Sequence, residues 1–118
     1  MNKILFYLLL LLSSLQLTAQ SCSELTEYVK SESYGSTYYS YNSDAISQVT
    51  FYEVTDENYN TFYFALVKFT SSYKEYLYQV SSDTKSNYSL NYMDSAGKAF
   101  WKYIEPYNEN LNCAPNLD

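Results

Sequence analysis

The sequence predicts an α+β fold: a small antiparallel sheet of three or four strands, with one helix before it and two helices after it that pack on the sheet. Apolar residues recur at helical spacing near the N-terminus, alternate with a period of two in the middle of the chain, and return to helical spacing near the C-terminus. Strands followed by helices, rather than alternating with them, indicate an antiparallel sheet. A chain of 118 residues has room for one domain.

The first helix is predicted over residues 23–32, where apolar residues fall at i, i+3 and i+4. These residues are Leu25, Tyr28 and Val29. Ser21 has the spacing of a capping box with Glu24, Ser23 is a second candidate cap, and Gly35 is expected to end the helix. The apolar side of this helix implies that it docks on the rest of the domain.

Four segments rich in tyrosine, threonine and β-branched residues predict the strands. They are residues 37–41, 45–54, 61–69 and 73–80. The third segment is the clearest, because both of its alternating faces are apolar. A strand with two apolar faces is typical of the middle of a sheet that is covered on both sides.

Two helices are predicted after the strands. Ser82 or Asp83 caps the first of them, whose apolar pattern consists of Tyr88, Tyr92 and Met93. The second begins at a Ser95 cap and ends before Pro106. Its apolar side, at i, i+4, i+7 and i+8, consists of Ala96, Phe100, Tyr103 and Ile104. Gly97 is expected to let this helix backbone approach the sheet closely.

The N-terminus predicts a signal peptide over residues 1–20, which leaves residues 21–118 as the mature domain. Lys3 supplies the positive charge, and residues 4–12 form an apolar run too short to span a bilayer. No second apolar segment follows, so no transmembrane segment is expected in the mature chain. This favours a secreted or periplasmic protein; the alternative is a lipoprotein anchored at Cys22.

Cys22 and Cys113 bracket the mature domain, and the chain contains no other cysteine. In an exported protein an even pair is expected to form a disulfide. Because the sequence contains no histidine, neither thiol has the neighbour that activates a cysteine nucleophile. The sequence therefore predicts a structural disulfide.

Charge and composition exclude several function classes. The formal net charge is −6, arginine and histidine are absent, and one of the seven lysines falls in the signal peptide. Nucleic-acid binders usually present a basic face, so nucleic acid is an unfavoured partner. Catalytic triads and most metal sites need histidine, and no pair of carboxylates is selected by its spacing. We expect no catalytic residues, no metal and no cofactor.

Tyrosine is the chemistry that this chain has in excess, with 16 residues in total. Most are expected to cover the sheet, because a phenol ring buries a large area and keeps a polar tip. Tyr38 and Tyr39 are adjacent in a predicted strand, so their side chains point to opposite faces. Exposed tyrosine among serine and asparagine is typical of surfaces that bind proteins or glycans. Tyr38 and Tyr39 are therefore candidate binding residues.

Residues 43–104 resemble the KTSC domain, a small family found alone and attached to some lysyl-tRNA synthetases. The strongest similarity is to the terminal signature of that family, which consists here of Ser95, Gly97, Lys98, Phe100 and Ile104. Trp101 stands where the family commonly has asparagine. The composition, rich in tyrosine and serine and without arginine, resembles that of exported proteins of Bacteroidetes-type bacteria.

The resemblance implies RNA binding, for which Lys98, Trp101 and Lys102 on one side of the last helix are the candidates. The sequence itself favours a non-catalytic module that binds a protein or a glycan. A third alternative is a structural accessory domain of an envelope assembly.

Overall fold

The computed structural model describes residues 19–117, with side chains from Ser21 onward. The positive charge and the apolar run of the predicted signal peptide, Lys3 and residues 4–12, lie outside the described residues. Within the described range, no helix is long and apolar enough to cross a membrane.

The chain forms one four-stranded antiparallel sheet with helices before and after it, which confirms the predicted α+β class. The elements are α1 (Ala19–Glu32), β1 (Ser36–Tyr39), β2 (Ile46–Thr55), β3 (Thr61–Phe69), β4 (Glu75–Val80), α2 (Thr84–Asn91), α3 (Ala96–Tyr103) and a 3-10 helix (Glu105–Asn110). The strand order is β1-β2-β3-β4, so every strand pairs with its neighbour in the chain.

The sheet is covered on both faces, as the two apolar faces of β3 predicted. Ala65 and Val67 belong to a core that also contains residues of α2 and α3. Phe64 and Leu66 belong to a second core, which includes Val29 of α1. Burying an aliphatic or aromatic side chain contributes about 1.5–3 kcal/mol. The sheet is therefore held between two layers of helix.

The first helix is longer than predicted. Among the described residues it starts at Ala19 rather than at position 23, so Ser21 and Ser23 lie inside it and the predicted caps are wrong. The apolar side was predicted in part: Val29 is fully buried against the sheet and Leu25 packs beside it, but Tyr28 is 50% exposed. The Cys22–Cys113 disulfide is present and joins this helix to the C-terminal tail.

The helix that follows Ser95 is confirmed in detail. The Ser95 hydroxyl accepts a hydrogen bond from the Lys98 backbone N–H at 3.2 Å, and Phe100 and Ile104 are buried. The preceding helix differs from its prediction in two respects. Asp83 stands at its N-cap position, but the Asp83 side chain makes no capping hydrogen bond. Tyr88 is fully buried, but Met93 lies beyond the end of α2 with 86% of its surface exposed, so Met93 is not a core residue.

The structure contradicts the expected role of Gly97. A Cβ atom at this position would lie 3.8 Å from the Ala45 Cβ, which is ordinary van der Waals contact. The helix therefore does not need glycine there to approach the sheet. The other glycine of the chain, Gly35, is the one in a crowded place.

A short 3-10 helix follows α3. It spans Glu105–Asn110 and has Pro106 in its first turn. The Asn110 side-chain amide donates a hydrogen bond to the Gln79 carbonyl of β4 at 2.8 Å. This contact fixes the tail beside the edge of the sheet and brings Cys113 towards α1.

Candidate functional site

A groove of about 650 Å³ opens at one end of the sheet. One wall is residues 39–45, from the end of β1 through the loop that leads to β2. The other wall is residues 92–97, from the end of α2 into the first turn of α3. The walls meet where Gly97 faces Ala45. Clefts of about 300–1,000 Å³ with a few convergent polar groups are the usual places for small ligands.

Backbone and hydroxyl contacts hold the first wall in place. The Ser43 hydroxyl accepts hydrogen bonds from the backbone N–H groups of Ala45 and Ile46, at 3.2 and 3.0 Å. The Thr70 backbone N–H donates to the Ala45 carbonyl at 3.0 Å. The Thr70 hydroxyl donates to the Ser43 carbonyl at 3.3 Å. The loop is thus fixed to the hairpin between β3 and β4.

Two tyrosines stack on each other along this wall. Tyr39 and Tyr41 have ring centroids 6.0 Å apart and an angle of 12° between their planes. They meet because residues two apart in an extended chain lie on the same side. Tyr41 is 89% exposed and Tyr39 is 52% exposed. The pair therefore presents aromatic surface to solvent at the mouth of the groove.

The second wall is the short connection before α3. The backbone N–H groups of Asp94 and Ser95 both donate to the Asn91 carbonyl at 3.2 Å, which makes a tight turn. Met93 lies on this turn and is exposed. Met93 therefore adds apolar surface to the wall opposite the tyrosines, and its flexible side chain can adapt to the shape of what it contacts.

The polar groups of the groove include two carboxylates. Asp44 lies on the first wall and Asp94 on the second, and Asn42 adds an amide. Of the described residues that line the groove, none is lysine or arginine. The groove therefore carries negative charge together with an aromatic surface. Over residues 19–117, no group of three or more histidine, cysteine, aspartate or glutamate side chains is placed to hold a metal ion.

The base of the groove reaches the core at Ser40. The Ser40 hydroxyl is buried, as is the hydroxyl of Tyr88, and neither has a partner in hydrogen-bonding geometry among the described residues. Burial raises the pKa of Tyr88 to about 12, and the nearby Ser40 hydroxyl opposes part of that rise. Burial also raises the pKa of Tyr78 well above its ordinary value.

These buried phenols predict a loss of stability in alkali. A folded-state pKa of about 12 for Tyr88, against 10 in the unfolded chain, means that the folded state holds the proton more tightly. The stabilisation is complete below pH 10 and falls as the pH rises towards 12, by an amount on the order of 2 kcal/mol. Urea unfolding at a series of pH values measures this loss.

Tyr88→Phe should reduce the loss of stability in alkali. At neutral pH it should change the free energy of unfolding by less than about 1 kcal/mol, since the hydroxyl it removes has no hydrogen-bond partner among the described residues. Tyr34→Phe is the control, because it removes the same hydroxyl from a fully exposed tyrosine. Equal alkaline slopes for the two variants would contradict the assignment.

Tyr38 and Tyr39, the two tyrosines proposed from the sequence, lie in different places. Tyr39 is in the groove, as described. Tyr38 points into the core, where its ring lies 5.3 Å from that of Tyr92 and 5.8 Å from that of Phe51. At least one of the two was expected to be exposed, and that one is Tyr39. Tyr38 packs against the core and is not a residue of the groove surface. Tyr38 thus supports the groove from behind through Tyr92.

The three residues proposed for RNA binding lie on the solvent side of α3. Trp101 is 43% exposed and its ring packs edge-on against Phe100, with centroids 6.0 Å apart. Lys102 places its amino group 5.4 Å from the centre of the Tyr103 ring. Lys98 is exposed, and none of the three lines the groove. Nucleic-acid binding by this side of the helix stays a prediction.

A second, smaller groove of about 300 Å³ lies beside the disulfide. It is lined by Lys30 and Glu75, whose amino and carboxylate groups lie 3.5 Å apart. These two charges are paired with each other across the gap between α1 and β4. We therefore place the candidate site in the larger groove, where the carboxylates have no lysine beside them.

Sequence reasoning did not find Tyr41, Asp44, Met93 or Asp94 as site residues. The signal for Tyr41 was present, because its spacing from Tyr39 places both on one side of an extended segment. No signal pointed to the other three. They meet only because the sheet brings residues 39–45 against a connection about fifty positions later.

Comparison with known proteins adds no relatives: no protein-family model, no curated protein and no solved structure matches this chain. The resemblance to the KTSC family rests on the residues quoted above and stays a prediction. Function is therefore argued from the groove itself.

Proposed function

We propose that the protein is an exported, non-catalytic binding module that holds a glycan in the groove between residues 39–45 and 92–97. The single observation that carries this proposal is the stacked pair of Tyr39 and Tyr41 at the mouth of a preformed cleft. Membership of the KTSC family is a separate proposal, and the glycan site does not depend on it.

A sugar ring suits this cleft for a physical reason. One side of a pyranose carries C–H groups, which pack on the face of an aromatic ring, and its edge carries hydroxyls that donate and accept hydrogen bonds. Tyrosine offers a rigid, large contact area that loses little conformational entropy on binding. Asn42, Asp44 and Asp94 supply the amide and carboxylate groups that sugar hydroxyls need.

The chemistry of the chain is consistent with binding rather than catalysis. No histidine is present to act as a general base. The disulfide and the absence of a membrane-spanning helix among residues 19–117 are compatible with an extracellular or periplasmic location, where glycans are abundant.

A glycan array at physiological salt, followed by titration of each hit, tests the proposal. Tyr41→Ala is expected to weaken a true ligand about 5- to 10-fold, which corresponds to about 1–1.4 kcal/mol of lost aromatic contact. Because Tyr41 is 89% exposed, the substitution should leave the unfolding midpoint unchanged.

Tyr34→Ala is the matched control, since it removes a fully exposed tyrosine that does not line the groove. Chemical-shift changes on binding should concentrate in residues 39–45 and 92–97. An array without hits, or hits that Tyr34→Ala and Tyr41→Ala weaken equally, would refute the proposal.

A further inference from the structure

The charge of the groove says more about the ligand than its shape does. Asp44 and Asp94 stand on opposite walls, and among the described lining residues no cation is present to balance them. The chain as a whole is acidic, so no long-range field from the rest of the molecule offsets the two carboxylates. A negatively charged glycan would be repelled, and a neutral one would bind the carboxylates only through hydroxyl hydrogen bonds.

A ligand that carries a positive group beside a ring that can stack would use both features of the groove. An ammonium group donates three hydrogen bonds and pairs with a carboxylate. It is also attracted to the face of an aromatic ring when it lies within about 6 Å of the ring centre. The stacked Tyr39 and Tyr41 rings provide such faces on the same wall as Asp44.

We infer that the groove prefers glycans that contain a protonated amino sugar. The sugar ring packs on the exposed face of Tyr41 or Tyr39, and the ammonium group pairs with Asp44 or Asp94. This inference rests on the proposed glycan site and specifies the chemical class that the site selects. A cationic peptide would satisfy the carboxylates, but the flat stacked pair favours a ring.

Two oligosaccharides of equal length test the inference, one of glucosamine units and one of N-acetylglucosamine units. They differ in charge because acetylation neutralises each amine. At about pH 6, where the amines are protonated, the glucosamine form is expected to bind about 5-fold more tightly, as solvent-exposed ion pairs allow. The ratio should fall as salt is added, since salt screens exposed charges.

The variant Asp44→Asn/Asp94→Asn should abolish this preference, so that the two oligosaccharides bind to it with equal affinity. Glu24→Gln/Glu109→Gln is the matched control: both glutamates are exposed and outside the groove, so the net charge changes equally. The control should retain the full preference. If it loses the preference to the same degree, the effect comes from net charge and the inference is overturned.

The remaining outcomes separate the inference from the proposal beneath it. Equal binding of the two sugars, weakened by Tyr41→Ala, overturns the amine preference and leaves the glycan site standing. Binding of neither oligosaccharide overturns the amine preference, and an array on which no sugar binds overturns the glycan site as well. Tight binding of hexalysine that depends on Asp44 and Asp94 but not on Tyr41 identifies a cationic peptide as ligand and overturns the inference.

Discussion

Gly35→Ala is expected to destabilise the domain by about 2–3 kcal/mol, which lowers the melting midpoint by about 10–20 °C. A Cβ atom at this position would lie 2.3 Å from the Thr50 Cγ2 and 2.9 Å from the Tyr52 Cε1. Both distances are shorter than van der Waals contact. Since the backbone at Gly35 is not in the left-handed region, the cost is steric crowding rather than torsional strain.

Thr50 cannot easily move away from the added methyl group. Its side chain is buried, and its hydroxyl forms a hydrogen bond with the Thr37 hydroxyl across β1 and β2 at 2.8 Å. Rotation that frees the space for a methyl group at position 35 would break that bond. A stiff, β-branched neighbour therefore turns a small substitution into a large loss.

Thermal and urea unfolding of two glycine variants measure the effect. Gly97→Ala is the matched control, because the added Cβ would lie 3.8 Å from the Ala45 Cβ, in ordinary contact. Since alanine favours a helix more than glycine does, this variant should stabilise the domain by up to about 1 kcal/mol. Thr50→Ser removes the clashing methyl group and keeps the hydroxyl, so it should rescue part of the Gly35→Ala loss in a double-mutant cycle. Similar unfolding midpoints for the two alanine variants would show that crowding at Gly35 does not limit stability.

The two glycines also show where sequence reasoning reached its limit. From the sequence, Gly35 was expected to end α1, and Gly97 was expected to permit a close approach to the sheet. The crowding is in fact at Gly35, and it depends on Thr50 and Tyr52 of the neighbouring strand. Which glycine is crowded depends on the register between β1 and β2, and the register is not visible in the local sequence around either residue.

Local patterns did predict most of the fold, because they follow from the period of each element. The alternation over residues 61–69 gave the bounds of β3 and both of its buried faces. Ser95 was identified as a cap from its place before an apolar helical stripe. The predicted start of α1 was wrong. Serine is a common helix cap, but here Ser21 and Ser23 lie inside the helix, which among the described residues begins at Ala19.

The groove was the least predictable feature, since its walls are far apart in the sequence. Tyr39 was proposed together with Tyr38, because adjacent strand residues point to opposite faces and at least one of the two rings was expected to be exposed. Asp44 and Asp94 are ordinary loop carboxylates in the sequence, where solvated charge explains them. They became part of a site only through the antiparallel pairing of β1 with β2 and the packing of α3 against β2, both long-range contacts.

Removal of the Cys22–Cys113 disulfide is expected to cost about 4–5 kcal/mol of the free energy of unfolding. The bridge closes a loop over a sequence separation of 91, nearly the whole described chain. In the chain-entropy model, that closure restricts the unfolded state far more than the folded one. Since a domain of this size is usually stable by about 5–15 kcal/mol, the double variant Cys22→Ser/Cys113→Ser should unfold at a much lower urea concentration.

Urea unfolding should show a second change besides the lower midpoint. Without the bridge the unfolded chain exposes more surface, so the dependence of the free energy on urea concentration should become steeper. Wild-type protein under a strong reductant should reproduce both changes, because it lacks the same bond. A decrease in the free energy of unfolding below about 1 kcal/mol would contradict this prediction, because it would mean that the bridge restricts the folded and unfolded states equally.

The chemical state of Cys22 also separates the two locations that the sequence predicts, a secreted or periplasmic protein and a lipoprotein anchored at Cys22. In a lipoprotein the sulfur of Cys22 carries the lipid through a thioether bond, so it cannot also bond to Cys113. The two outcomes are therefore exclusive for any one molecule, and thiol alkylation under denaturing conditions separates them. The disulfide-bonded form has no free thiol, whereas the lipidated form has one at Cys113. We expect no alkylation before reduction and two alkylated cysteines after it, which would exclude a lipid anchor on Cys22.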